Sequence, residues 1–304
     1  MTKRQLQIMM LKYLKSKGYN NIKNTNMYLI AEGDLPICLC AHMDTVFIKP
    51  PKTFYFDKEQ SVLWSPDGLG ADDRAGIYII INLLEKGYKP SIILTDLEEE
   101  GGQGADALIR KYPDCPLKEC KALIQLDRRG EKDAVYYECD NADFEEKINS
   151  YGFETNWGTF TDISLFGPQW KIAAVNLSVG YLNEHQPIET LHLKWCHDTI
   201  DKVIKMLDEC KEWLSYAYIP AVYTFNNGYN SSWWSINTSG EEPWWEVERC
   251  ICCGKSLGST GGRVVGGTSG KPEDDFLVCN DCFKQYFDRG CNTASDWAES
   301  PQDG

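Results

Sequence analysis

Five residues scattered over the chain, His42, Asp72, Glu100, Asp127 and His185, each close a strand-length run or open the loop that follows one. Apolar runs of strand length become buried strands, and open α/β sheets place their chemistry at the ends of such strands. Two imidazoles and three carboxylates are also the side chains needed to hold two divalent metal ions side by side. This pattern predicts an α/β metal-dependent hydrolase.

The rest of the first 218 residues fits that sheet. Leu6, Met9, Met10 and Tyr13 fall at helical spacing and predict an amphipathic helix over 3–17. Strands are expected at 27–32 and 37–41, with a hairpin at 54–56 and 62–64. A helix over 74–86, a buried strand at 91–97, a helix over 105–111 and further strands at 122–126 and 173–179 follow. Leu193, Ile200, Val203, Ile204, Leu207 and Leu214 recur at three- and four-residue steps and predict a long helix over 191–216, with His192 and His197 inside it. Strands alternating with helices favour a three-layer α/β/α sandwich around a mostly parallel sheet.

At 304 residues there is room for this domain and a small second one. Residues 219–245 change to Asn, Ser, Gly and aromatics without either period, which reads as a linker, and 246–304 form a separate module. The net charge of −14 disfavours nucleic acid and anionic membrane as partners, because binding phosphates needs Lys and Arg. With no run near the roughly 20 apolar residues of a membrane span, a cytoplasmic protein is expected. Of thirteen cysteines, seven are dispersed through the first 210 residues and six crowd between Cys250 and Cys291. Reduced thiols plus a metal site explain that distribution better than a disulfide framework does.

Each candidate ligand also has a plain structural explanation. His42 and Asp44, two apart in CLCAHMDTV, leave the same face of an extended backbone, so Asp44 could accept from the second ring nitrogen of a metal-bound His42. Asp72 and Asp73 in GADDRAG could cap a helix, or Asp72 could bridge two ions through its two oxygens. In LTDLEEEGGQGA the crowded Glu98, Glu99 and Glu100 repel one another unless a cation or proton intervenes, so one should bind metal and one should act as a base. A solvated acidic loop is the alternative. In GTFTDISLF, Asp162 could receive a substrate amine or cap a helix starting at Ile163.

AHMDTV, GADDRAG, EEEGGQGA, the strand ending in Asp127 and GYLNEHQPIE together resemble the ordered motifs of the co-catalytic di-zinc exopeptidases, the group containing peptidase T and leucyl aminopeptidase, over roughly residues 25–190. The resemblance implies a phosphorylase/hydrolase-like sandwich, with His42 and Asp127 on one metal, Glu100 and His185 on the other and Asp72 between them. With GQGA set on the family's Gly-x-Gly-Ala, Glu99 becomes the general base, Glu100 the ligand and Glu98 a neighbour that binds no metal. Asp44 matches the family's orienting aspartate. The 57 residues between Asp127 and His185 leave no room for the lid or dimerisation domain that many relatives insert there.

Cys250-x-x-Cys253 and Cys279-x-x-Cys282, 25 residues apart, predict one tetrahedral zinc in a zinc-ribbon or treble-clef-like module, leaving Cys252 and Cys291 over. Residues 246–304 hold six Lys/Arg against ten Asp/Glu, which favours a protein partner or self-association for that module.

The expected activity is cleavage of a short peptide from its amino end, with two zinc ions, or cobalt or manganese, activating a water and Glu99 moving its proton. An N-acyl amino acid deacylase of the same fold, and a catalytically silent binding protein that uses the zinc tail, are the alternatives.

Overall fold

The computed structural model describes residues 1–221 and four short strands beyond them, at 224–225, 229–230, 263–265 and 276–278. The chain divides into a large unit, Met1–Trp234, and a second unit, Ser235–Gly304. In the second unit Arg263–Val265 pairs antiparallel with Phe276–Val278. Cys250, Cys253, Cys279 and Cys282, and most of the expected linker, lie outside the described residues.

In chain order the large unit contains α1 (Lys3–Ser16), β1 (Ile22–Asn24), β2 (Tyr28–Ala31), β3 (Leu35–His42), β4 (Tyr55–Asp57), β5 (Val62–Trp64), α2 (Ala71–Glu85), β6 (Pro90–Thr95), α3 (Gln103–Lys111) and β7 (Ala122–Arg128). After these come β8 (Asp133–Val135), α4 (Ala142–Asn149), β9 (Glu154–Asn156), α5 (Ile163–Trp170), β10 (Ala174–Ser178), β11 (Tyr181–Leu182), β12 (Thr190–His192) and α6 (Leu193–Glu209). Eight strands form one sheet in the order β1-β2-β6-β3-β7-β10-β8-β9. Its four central strands run parallel, and the antiparallel pairings lie to either side of them.

Alternation along the strands sorts the core into two layers, because successive side chains leave opposite faces of a sheet. Ile37, Leu39 and Ala41 of β3 join Leu29, Ile92, Ile124 and Val175 in a core shared with α1, α2 and α6. Cys38 and Cys40 join Ile30, Ile93 and Leu123 in a second core with α3 and α5. This is the expected α/β/α sandwich, built around a large and mostly parallel sheet. Its α2 lies so close to β7 that a Cβ on Gly76 would sit 1.9 Å from the Leu126 carbonyl, so only glycine fits there.

The hairpin β4–β5 belongs to a separate four-stranded sheet with β11 and β12. The last helix begins only at Leu193, and His192 sits in β12, where its neighbours pair with β5. Helical spacing cannot exclude a strand that ends where a helix begins. Residues between Asp127 and His185 supply β8, β9 and β10 to the main sheet, so this interval widens the sheet and builds no lid. None of the helices among the described residues is long and apolar enough to cross a membrane.

Candidate di-metal site

The parallel strands deliver their polar ends to one place. His42 closes β3, Asp127 lies near the end of β7, and the turn after β6 carries the three glutamates. His42 Nε2 lies 3.0 Å from Asp72 Oδ1 and 3.4 Å from Asp127 Oδ1. His185 Nε2 lies 3.0 Å from Asp72 Oδ2 and 2.9 Å from Glu99 Oε2. Asp72 therefore turns one oxygen toward each histidine. Ligands on one tetrahedral zinc at about 2.0–2.1 Å are separated by roughly 3.3 Å, so these spacings suit donors that share ions.

Donor chemistry and charge agree with that fit. Asp44, Asp72, Asp73, Glu98, Glu99, Asp127 and Asp162 surround only two imidazoles, and burial crowds their negative charge. His42, Asp72 and Glu99 can present donor atoms within 4.8 Å of one another, and so can His42, Asp73 and Asp127. Asp73, however, is fully buried and already accepts the backbone N–H groups of His42 (3.2 Å) and Gly76 (2.8 Å). It is better placed to brace the loop than to hold an ion. Glu99 Oε1 is buried with no hydrogen-bond partner, an orphan that a cation would satisfy.

Protonation follows from these contacts. Burial alone would lower the His42 pKa, but Asp127, Asp44 and Asp72 outweigh it and hold the pKa well above the usual value. The hydrogen bond to Asp72 raises His185 to about 9. Burial also raises Asp72, but His185 and His42 overcome that and pull it below the carboxylate range. Burial and neighbouring carboxylates push Glu99 up to about 7 and Glu98 to about 9.

A shell of side chains fixes these groups. Asp44 Oδ1 lies 3.2 Å from His42 Nδ1, and the same carboxylate accepts the backbone N–H groups of Glu98 and Glu99 at 3.3 and 3.2 Å. It ties the histidine strand to the glutamate turn. Asp127 accepts from Gln125 (3.0 Å), Thr161 (2.9 Å) and Tyr181 (3.4 Å). Glu189, fully buried, accepts from the backbone N–H groups of Gly70, Ala71 and Asp72. It does at the start of α2 what an N-cap side chain would do, since Gly70 occupies the cap with φ +65° and offers no side chain.

Sequence reasoning missed Glu189, Gln125 and Tyr181. Glu189 follows His185 closely and could have been marked as an acid near a ligand, but nothing in sequence indicated that it reaches back to α2.

Two candidate residues lie apart from the positions their expected roles call for. Glu100 is exposed and stands outside both donor groups, while Glu99 occupies the place beside His185. Leu97 adopts φ +58° and Gly101 and Gly102 adopt φ +84° and +69°, so the chain leaves β6 through a tight turn and strand alternation no longer predicts which glutamate points inward. Asp162 is only 1% exposed, accepts from the Thr95 hydroxyl and makes no side-chain cap to α5. It thus lies closed off from the surface and does not cap the helix. Burial pushes it up to about 7.

Residues 24–156 match the model of peptidase family M28. Among solved structures, the chain is similar to aminopeptidase PepT from Bacillus cereus, at 16% identity and TM-score 0.57, with 69% of this chain and 94% of that one covered. It is similar to a tripeptidase from Staphylococcus aureus at 13% identity and TM-score 0.57, covering 70% and 94%. The PhTET1-12s dodecamer shares its fold at 17% identity and TM-score 0.50, covering 67% and 93%. No curated protein matches the sequence.

Proposed function

We propose that this chain is a metal-dependent exopeptidase of the di-zinc kind, a reading supported by the match of residues 24–156 to peptidase family M28, and that it releases the amino-terminal residue of short peptides. The observation that carries this reading is the placement of Asp72 between His42 and His185, with Asp127 on one side and Glu99 on the other. His42 and Asp127 would hold one ion, His185 and Glu99 the second, and Asp72 both. When bound, two such ions polarise a scissile carbonyl and lower the pKa of a shared water.

The chain's own residues do the rest. Glu98, next to the proposed ligand Glu99 and itself half-buried, is the carboxylate left to take the proton of the attacking water and hand it to the leaving amine. Asp44 orients His42 through Nδ1 and holds the glutamate turn by its amides. Gln125, Thr161 and Tyr181 fix the Asp127 carboxylate.

The seven cysteines of the large unit are all unpaired, which suits a reducing compartment such as the cytosol. Cys250, Cys253, Cys279 and Cys282 are proposed to hold a third, structural zinc.

Elemental analysis of the whole chain, together with cleavage of free-amine and N-acylated peptides, tests the proposal. About three zinc ions per chain with cleavage of the free-amine peptide is the expected result. Cleavage of only the acylated substrate would favour the deacylase, and a single zinc without turnover would favour a binding protein.

A further inference from the structure

A cavity of about 910 Å³ opens beside the cluster, and Asp44 and Glu99 form part of its wall. Its volume falls within the range of small-molecule sites. Val46, Phe47, Leu69, Tyr78 and Leu193 make it predominantly apolar. One cation stands in that wall under unusual conditions. Arg74, two residues beyond Asp72, is half-buried; its Nε is buried with no hydrogen-bond partner among the described residues, and its Nη1 reaches only the Met1 carbonyl at 3.4 Å. Of the other cations in the same wall, Lys3 is already paired with Asp96 at 2.7 Å, and Arg4 and Lys49 are exposed to solvent.

A guanidinium carries five donors in a planar fork that matches a carboxylate, and donors left unpaired in a partly dry site cost free energy that such a ligand recovers. We propose that this cavity receives the residue on the leaving side of the scissile amide, its apolar side chain among Phe47, Leu69 and Leu193 and its free α-carboxylate on Arg74.

This deepens the exopeptidase reading, on which it rests, by fixing the substrate class as a short amide ending in an apolar residue with a free carboxylate. A dipeptide and an N-acyl amino acid share that end. Arg74 is a specificity residue, and its guanidinium, which does not lose its proton in proteins, stays charged there.

The test compares leucyl-leucine, leucyl-leucinamide and N-acetyl-leucine with the zinc-loaded full-length protein. Leucyl-leucine should be cleaved with a kcat/KM at least tenfold above its amide, and Arg74→Gln should drive that ratio toward one, mainly through KM, with Arg74→Lys restoring part of it. Equal rates on acid and amide in the native protein would overturn the proposal. The N-acetyl-leucine arm tells which acyl group the other side accepts. If no substrate is cleaved, the hydrolase reading fails, and calorimetric titration with leucine against leucinol still decides the cavity. Binding of leucine at least tenfold tighter supports the carboxylate site, and equal or absent binding overturns it.

Discussion

Glu99 Oε2 lies 2.9 Å from His185 Nε2, joining the turn after β6 to the loop between β11 and β12. On the proposed reading this contact makes Glu99 the ligand, leaves Glu98 as the base and gives Glu100 no part. Glu98→Gln should retain both metals while kcat falls by about 10²–10⁴, the usual contribution of a general base. Glu99→Gln should lower metal content, and Glu100→Gln should change neither. Metal analysis and steady-state kinetics on the three variants check this, and a base at Glu99 would show as full metal content with lost turnover in that variant.

Asp72 holds each carboxylate oxygen 3.0 Å from a different histidine, and on the proposed reading it is shared by both ions. Asp72→Ala should reduce both sites together, so that the large unit retains less than one ion and activity falls to background. His185→Ala, by contrast, should spare the ion on His42 and Asp127. Equilibrium dialysis of the variants distinguishes loss of two ions from loss of one.

The metal-free site binds protons that metal must displace. His185 is raised to about 9 by Asp72, so at pH 7 it is protonated without metal, and zinc uptake should release a proton from it. A histidine whose folded value is raised stabilises the fold fully below its unfolded value near 6.5, and that contribution disappears as pH rises through about 9. The metal-free protein should therefore lose stability over that interval and the zinc-loaded protein should not. Calorimetry in buffers of different ionisation enthalpy measures the proton, and thermal unfolding against pH measures the stability.

Glu189 carries the three amides that open α2 and so sets where Asp72 stands. Glu189→Ala would leave those buried donors without partners, at a cost of about 3 kcal/mol. Metal affinity should fall as well, by roughly 10–100-fold, as for other residues that support ligands. Chemical denaturation and zinc titration test the two effects. A stable variant with normal affinity would show that the loop holds without Glu189.

The sheet was legible in sequence because burial on both faces demands continuous apolar runs. The runs at 37–41, 91–97, 122–126 and 173–179 became the four central parallel strands, and the polar residues after them converged as the parallel arrangement requires. The short β8, β9, β11 and β12 were not visible, since two or three residues carry no measurable period. His42, Asp72, Asp127 and His185 were legible as candidates because they follow strand-length runs in succession, although each alone also has a structural explanation. Which glutamate turns inward was not, because three identical residues in a turn with left-handed backbone at Leu97 and Gly101 offer no pattern to count along.

Sequence by itself therefore determined the α/β architecture and the chemical kind of the site, since both follow from local apolar periodicity and residue type. Tertiary structure alone decided that Glu99 faces His185, that Asp162 is buried against Thr95, that Glu189 caps α2 and that Arg74 looks into an apolar cavity. Each of these depends on the direction of a side chain across segments far apart in the chain. Direction is set by packing against neighbours that local sequence does not contain.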